Sequence, residues 1–170
     1  MKHFNSIALF GALLVLFLAG ACRDKTSLDG VTVPRLMVES RGVGGYSGPP
    51  SDLLNLPVSG TAVSVEREPL ISEFEITNVE LVKVDLGMAL LLQVSGEGSR
   101  KLYRASVSRM GGRIVLTING KPIGARRIDS AISDGNFFTF VELPDDELEA
   151  LVVDLKESII KLQTKLAERR

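Results

Sequence analysis

The sequence predicts an α+β fold, a two-layer sandwich in which an antiparallel sheet carries two helices on one face. Three observations predict this fold. Short runs rich in Val, Ile and Leu are separated by tight-turn residues, which is typical of antiparallel strands. Two longer segments, residues 99–110 and 144–170, repeat apolar residues every three or four positions, as amphipathic helices do. The order of strands, helix, strands and helix, with short connections, favours two helices on the same side of the sheet.

The N-terminal segment begins with a short basic stretch and continues with an apolar run at residues 7–18. This run has the length of the hydrophobic part of a signal peptide and is too short for a membrane-spanning helix. Three small residues then precede Cys22, the only cysteine of the chain. The segment resembles the lipobox of bacterial lipoproteins, where the cysteine thiol receives a diacylglyceryl group and the chain is cut before it. The alternative is a simple cleaved signal in which Cys22 has no role.

The lipobox resemblance implies a signal peptide at residues 1–21 and lipidation of Cys22, with acyl chains such as palmitate as the membrane anchor. Two or three such chains hold a protein stably on a bilayer. Arg23 follows the cysteine where retention at the inner membrane usually requires Asp. In a diderm host the expected location is therefore the outer membrane, facing the periplasm. One position departs from the lipobox, because Ala19 stands where Leu is usual.

Composition excludes several kinds of chemistry in the mature chain. The only histidine, His3, is removed with the signal, and Cys22 is the only thiol. Zinc sites built from His or Cys, and nucleophiles activated by histidine, are therefore excluded. Carboxylates are numerous, but no pair is marked by spacing or motif as a general acid and base. We expect no enzyme activity, cofactor or metal, and the near-neutral formal net charge of -1 gives no reason to expect a nucleic-acid partner.

Residues 22–60 are predicted to form a polar tether that precedes the domain at residues 61–170. The tether includes a possible strand at residues 33–39 and a glycine- and proline-rich loop at residues 41–50. A glycine-rich stretch can hold phosphate when a helix begins directly after it. Here two prolines follow the glycines, which favours a flexible loop instead.

The first half of the domain is predicted to contain three strands and one helix. Alternation at residues 61–66 indicates a strand, and the apolar runs at residues 76–84 and 88–94 indicate a hairpin. A helix is predicted at residues 99–110, with Ser95 as its N-cap because a serine hydroxyl can accept a hydrogen bond from the first turn. Two glycines directly after residue 110 end this helix.

The second half of the domain is predicted to contain a hairpin, a last strand and a long helix. Strands at residues 114–118 and 121–128 are joined by Asn-Gly, the dipeptide that best accepts the positive φ angles of a type I′ turn. A strand at residues 137–141 follows. The C-terminal helix begins at Pro144, has acids in its first turn, and keeps its apolar spacing to Leu166.

Several short motifs within residues 63–155 match a known family. They are Glu97 with Gly98 at a helix start, Gly111 and Arg113 before a strand, the run 114–121 that ends in Asn-Gly-Lys, and the acidic run 145–149. Together they resemble the head subdomain of the first periplasmic domain of SecD, a membrane component of protein export. Asn119 stands where the family usually has Asp, and Arg126 stands where it tends to have Pro.

The SecD resemblance implies a head-like fold and contact with polypeptides on the periplasmic side. SecD carries this module between transmembrane helices that its export activity requires, and no second apolar segment of that length follows Cys22. We therefore expect a non-catalytic, lipid-anchored cell-envelope protein whose partner is an unfolded polypeptide or another protein. The competing hypothesis is a structural or assembly lipoprotein that joins an envelope complex through its C-terminal helix.

A run of basic residues is the first candidate binding surface. Between residues 98 and 128 the chain has no acid and eight basic residues, namely Arg100, Lys101, Arg104, Arg109, Arg113, Lys121, Arg126 and Arg127. Arg100, Lys101 and Arg104 are predicted to contact an anionic partner, which could be lipid headgroups, acidic cell-wall polymer or an acidic polypeptide. The alternative is a solvated surface that is partly paired with the acidic C-terminal helix.

The aromatic cluster near the last strand is the second candidate surface. Strand alternation places Phe137 on one face and Phe138 with Phe140 on the other. An exposed Phe137 is predicted to contact an extended polypeptide, and the alternatives for it are core packing or an edge position. A third candidate is the end of the C-terminal helix, residues 159–166, which either packs on the sheet or projects and pairs with another helix.

Overall fold

The computed structural model describes residues 30–41 and 50–168. All of them except Gly30 belong to one compact unit, Val31–Arg170. The predicted signal peptide, the lipidation site Cys22 and most of the predicted glycine- and proline-rich loop lie outside the described residues. None of the helices in the described part of the chain is both long enough and apolar enough to cross a membrane.

The predicted α+β class is confirmed, since the described residues form eight strands and two helices. The strands are β1 (Pro34–Val38), β2 (Ser51–Asn55), β3 (Ala62–Glu66), β4 (Ile76–Val84), β5 (Gly87–Val94), β6 (Arg113–Ile118), β7 (Lys121–Arg127) and β8 (Asn136–Thr139). The helices are α1 (Gly96–Ser108) and α2 (Asp145–Glu168). Every strand pair is antiparallel, as predicted.

The strands form three small sheets rather than the single sheet that the sequence predicts. Their orders are β1–β6–β7, β2–β3 and β4–β5–β8. The first and third sheets meet where Glu142 N donates a hydrogen bond of 2.6 Å to Ile123 O, beyond the end of β8. A single isolated bridge between Glu39 and Val65 joins β1 to β3. The strand edges of different sheets therefore meet at isolated backbone contacts and not in continuous hydrogen-bonded ladders, so the sheets are separate.

Both helices pack into the main hydrophobic core. Leu102 of α1 and Leu155 of α2 are almost fully buried, together with Ile114 and Leu116 of β6. Val115 points to the other face of β6, where it packs against Val63 and Val65 of β3 in a second cluster. The β2–β3 hairpin therefore adds a layer over part of the predicted two-layer sandwich. Burial of aliphatic side chains on both faces of β6 stabilises the centre of the domain.

The N-terminal boundary of the domain lies earlier than residue 61. β1 pairs with β6 over its whole length, from Pro34 opposite Ile118 to Val38 opposite Ile114. Leu36 is fully buried in the main core. The possible strand in the predicted tether is therefore part of the folded unit. β2 is not predicted from the sequence, because its side chains are mostly exposed and lack a strand pattern.

Two local predictions are confirmed by backbone geometry. The side chain of Ser95 accepts a hydrogen bond of 3.2 Å from Gly98 N, as an N-cap does, although α1 begins at Gly96 rather than at Ser99. Asn119 has a φ of 51° and Gly120 a φ of 79°. Both angles are positive, as the two central residues of a type I′ turn require.

The C-terminal helix does not project from the sheet over its predicted free segment. Ile159 and Leu162 are buried in the domain. Gln163 Nε2 donates hydrogen bonds to Phe74 O at 3.0 Å and Ile76 O at 3.3 Å, beside the start of β4. The expectation that residues 159–166 project from the sheet is therefore wrong, because these contacts hold Ile159 and Leu162 on the domain. Pairing of this helix with a partner stays a prediction.

Candidate functional site

Half of the eight basic residues in the predicted run form ion pairs with carboxylates. Lys101 Nζ lies 2.9 Å from Glu75 Oε1, and Arg113 forms two hydrogen bonds with Glu39. Hydrogen bonding to Arg113 lowers the pKa of Glu39 below its usual value, and hydrogen bonding to Glu75 raises the pKa of Lys101. Arg109 also pairs with a carboxylate, that of Glu66. The partners therefore come from the strands and their connections, and not from the acidic C-terminal helix.

Arg100 and Arg104 differ from these paired residues. Both side chains are exposed on α1, and neither has a carboxylate oxygen within 4.0 Å among the described residues. Of the three residues predicted to bind an anionic partner, Arg100 and Arg104 thus keep a free positive charge, whereas Lys101 is neutralised locally.

Phe137 is buried in the core, so its predicted role in contacting a polypeptide is wrong. Its side chain has no exposed surface and packs with Leu92, its partner across β5 and β8. Strand alternation then places Phe138 on the opposite face, where it is 36% exposed. Alternation correctly separates the two aromatic residues but does not reveal which of the faces meets the helices.

The face of the β4–β5–β8 sheet that carries Phe138 has an apolar centre beside a row of amides. Leu91 lies opposite Phe138 in the strand register. In the adjacent row, Asn78 Nδ2 donates a hydrogen bond of 3.0 Å to Gln93 Oε1, and Gln93 in turn lies opposite Asn136. The face therefore combines exposed carbon surface with side chains that can donate or accept hydrogen bonds.

Arg126 covers the exposed aromatic ring at the edge of this face. Its guanidinium carbon lies 3.9 Å from the centroid of the Phe138 ring, and its Nη1 donates a hydrogen bond of 3.1 Å to Phe138 O. Burial lowers the pKa of Arg126, and the charges of Asp129 and Asp134 oppose that shift. No carboxylate among the described residues lies within 4.0 Å of this guanidinium. Stacking on an aromatic ring presents the remaining N–H groups to a ligand in a fixed plane.

A groove of about 460 Å³ opens beside the Arg126–Phe138 pair. We call it the Arg126 groove, and its lining includes Leu91, Arg126, Ser130, Ser133, Asn136 and Phe138. Asp134 fixes one wall, because its carboxylate accepts hydrogen bonds of 3.1 Å from both the N–H and the side-chain amide of Asn136. These bonds lower the pKa of Asp134. Buried Ser106 holds another part of the wall by accepting a 2.9 Å hydrogen bond from Ile132 N.

The Arg126 groove has the chemistry of a binding site. It offers one oriented cation, one aromatic ring, an aliphatic side chain and several hydroxyl and amide groups, a mixture typical of sites that hold a ligand in a defined orientation. In residues 30–41 and 50–168, no three side chains of His, Cys, Asp or Glu approach one another closely enough to hold a metal ion.

The sequence places Arg126 in the basic run and Phe138 in the aromatic cluster, but it indicates neither their contact nor the groove beside them. Arg126 and Phe138 are separated by β7, its following loop and the start of β8, so their contact depends on the tertiary fold. One signal was present, since Arg126 departs from the proline that the SecD family tends to have. Strand alternation also placed Phe138 opposite Phe137, but the wrong face was chosen.

Comparisons with known proteins give a match in fold alone. No protein-family model and no curated protein matches the chain. A crystal structure of SecDF in its super-membrane-facing form aligns with a TM-score of 0.55 at 13% identity, over 74% of this chain and 18% of that one. A second SecDF structure, described as a membrane component that enhances protein export, aligns with a TM-score of 0.54 at 14% identity. That match covers 74% of this chain and 62% of the other.

The structural matches support a SecD-like fold. This chain spans less than two thirds of each SecDF chain that it matches. The fold implied by the sequence resemblance is therefore confirmed at the level of SecDF, while the assignment to the head subdomain of the first periplasmic domain stays a prediction.

Proposed function

We propose that this protein is a non-catalytic, lipid-anchored component of the cell envelope that contacts extended polypeptides through the Arg126 groove. The observation that carries the proposal is the half-buried Arg126 guanidinium, stacked at 3.9 Å on an exposed phenylalanine and free of a carboxylate partner within the described residues. Arginine and aromatic side chains are the residues that most often dominate protein interfaces.

The shape and composition of the groove suit an unfolded chain. An extended segment displays side chains of several kinds together with its backbone amides. Leu91 and Phe138 offer apolar contact, and Ser133 and Asn136 offer hydrogen bonds to peptide groups. Arg126 adds attraction for an acidic side chain or a backbone carbonyl. The structural likeness to SecDF, one example of which is described as enhancing protein export, agrees with a polypeptide ligand.

The lipid anchor in this proposal rests on the sequence alone. An apolar signal of suitable length and three small residues precede the single cysteine, Cys22. Acylation would hold the domain at a membrane surface, with the outer membrane of a diderm host as the proposed location. The anchor is tested by palmitate labelling and fractionation in its host, where Cys22→Ser should remove the label and release the protein from the membrane.

Polypeptide binding is tested with residues 22–170 carrying Cys22→Ser, which include the whole compact unit. Affinity for a fluorescent, permanently unfolded polypeptide is measured by anisotropy. Because truncation of a central interface aromatic or arginine costs about 2 kcal/mol or more, Phe138→Ala and Arg126→Ala should each weaken binding by about thirtyfold. Val153→Ala, at an exposed position of α2, is the control and should bind as the parent does.

The result that would contradict the proposal is specific. If Phe138→Ala and Arg126→Ala fold normally and bind the unfolded polypeptide as tightly as Val153→Ala, the groove is not the contact surface. If the parent protein shows no affinity for unfolded polypeptides of any composition, the proposed function itself is wrong.

A further inference from the structure

The exposed side of α1 carries an apolar stripe that the polypeptide groove does not use. Tyr103 and Val107 are four residues apart and therefore lie on the same side of α1, and Met110 follows just after the end of the helix. Their exposed fractions are 47%, 50% and 45%, although each is a large apolar or amphipathic side chain. An aligned stripe of this kind usually marks an interaction surface.

Free positive charge lies directly beside this stripe. Arg100 precedes Tyr103 and Arg104 precedes Val107 by three residues, so each arginine lies beside the stripe on the helix surface. Neither guanidinium has a carboxylate partner within the described residues, unlike Lys101 of the same helix and Arg109 at its C-terminal end. We call the surface formed by Arg100, Tyr103, Arg104, Val107 and Met110 the α1 face.

A pocket of about 260 Å³ lies next to the α1 face, where α1 meets β1 and β3. Lys101, Arg104 and Arg109 line it together with Ser108, and Glu66 is the only acid in its lining. Val38 and Leu70 contribute apolar walls. Lys101 pairs with Glu75 and Arg109 with Glu66, so Arg104 is the lining cation without a carboxylate partner among the described residues. Its charge makes the pocket attractive to a single anionic group.

We propose that the α1 face binds the surface of an anionic phospholipid bilayer, with the phosphate of one lipid headgroup in the pocket beside Arg104. Arginines attract the negatively charged surface, and tyrosine is favoured where one end of a side chain meets water and the other meets hydrocarbon. Val107 and Met110 then contact the acyl boundary. This combination of a basic flank and an apolar stripe is how helices lie in the interfacial plane.

The geometry favours a bilayer over a protein partner. The stripe projects from a helix surface, and the adjoining pocket mixes charged side chains with the apolar walls of Val38 and Leu70. A protein anchor residue usually fills a fully desolvated pocket, whereas a lipid headgroup with its attached chains meets both kinds of surface. A lipid surface is deformable and receives projecting side chains without a matching pocket. The proposed anchor would also keep the membrane close, because residues 23–30 span at most about 29 Å when fully extended. Only this last point rests on the proposed function.

The test uses residues 22–170 with Cys22→Ser, so that binding depends on the folded surface and not on acyl chains. Co-sedimentation is measured with vesicles of mixed phosphatidylglycerol and phosphatidylcholine, and with phosphatidylcholine alone. The parent should bind the anionic vesicles and not the neutral ones. Loss of two arginines near the lipid surface should weaken this binding roughly thirtyfold in Arg100→Gln/Arg104→Gln.

Matched controls separate a defined surface from general charge attraction. Lys83→Gln/Lys121→Gln removes the same charge from two exposed positions outside α1 and should retain most of the binding. Tyr103→Ser/Val107→Ser keeps every charge and should also weaken binding to anionic vesicles. Equal losses in the two charge variants, or no loss in the Ser variant, would overturn the proposal.

Two further outcomes distinguish the partners. If the parent ignores anionic vesicles but binds an acidic polypeptide through Arg100 and Arg104, the α1 face is a protein surface and the lipid proposal is wrong. If Phe138→Ala loses polypeptide binding but keeps vesicle binding, the two surfaces are independent. If the groove variants bind the unfolded polypeptide normally while the parent still binds anionic vesicles through the α1 face, the lipid proposal is supported and the proposed polypeptide groove is contradicted.

Discussion

Two adjacent phenylalanines are expected to give opposite results when each is replaced by alanine. Phe137 is fully buried in the main core, and Phe138 is 36% exposed in the Arg126 groove. Removing a buried phenylalanine side chain typically lowers the free energy of unfolding by about 3–5 kcal/mol, since both burial and packing are lost. Phe138→Ala loses partial burial and a cation–π contact with Arg126, which together amount to about 2 kcal/mol.

The two variants form a matched pair because the substitution and the strand are the same. Urea unfolding followed by circular dichroism gives the free energy of each variant, and thermal unfolding gives a second measure. For a domain of this size each 1 kcal/mol shifts Tm by about 4 °C, so Phe137→Ala should lower Tm by roughly 12–20 °C. Phe138→Ala should lower Tm by about 8 °C and lose polypeptide binding.

The reasoning is refuted if the two variants lose the same stability, or if Phe137→Ala costs less than about 1 kcal/mol. Either result would mean that the helices do not cover the Phe137 face of β8. If Phe138→Ala were as unstable as Phe137→Ala, its loss of polypeptide binding could also result from unfolding and would no longer be evidence for the groove.

Two further results are expected. Gly124→Ala should lower the free energy of unfolding by about 1–3 kcal/mol, because an added Cβ would collide with the backbone oxygen of Phe140. Gly96→Ala is the control and should not lower it, since a Cβ there meets nothing within 4 Å. Equal urea midpoints for the two variants would contradict this prediction. Hydrogen bonding to Arg35 lowers the pKa of buried Glu73, so its stabilisation is present above the ordinary pKa of 4.5 and is lost as pH falls through the lowered value. Glu73→Gln should therefore reduce the fall in the free energy of unfolding as the pH is lowered. Exposed Glu157→Gln is the charge-matched control. If Glu73→Gln leaves the pH dependence of the unfolding free energy unchanged, the assigned ion pair with Arg35 is refuted.

Local features of the fold could be predicted because their causes are local. The Asn119–Gly120 turn follows from two adjacent residues that accept positive φ, and the Ser95 cap follows from one hydroxyl before a helix. By contrast, β2 was missed because its residues are mostly exposed and are held by pairing with β3 rather than by a pattern of their own.

The candidate sites could be predicted only in part, because charge and burial depend on distant residues. The carboxylates that neutralise Lys101 and Arg113 are Glu75 and Glu39, which lie on other elements. A basic run in the sequence therefore overstates the charge of the folded surface. Arg126 shows the opposite case, since its stacking on Phe138 gives it a defined orientation that no local pattern indicates.

The pairing of β1 with β6 also determines when this domain can finish folding. Pro34 meets Ile118 and Val38 meets Ile114, so the first strand to be synthesised needs a partner made more than seventy residues later. Until that partner emerges, Leu36 has no core to enter and the edge of β1 remains unpaired. A contact of such long sequence separation slows folding and leaves the incomplete chain open to association. The nascent protein thus remains incompletely folded until β6 has been made.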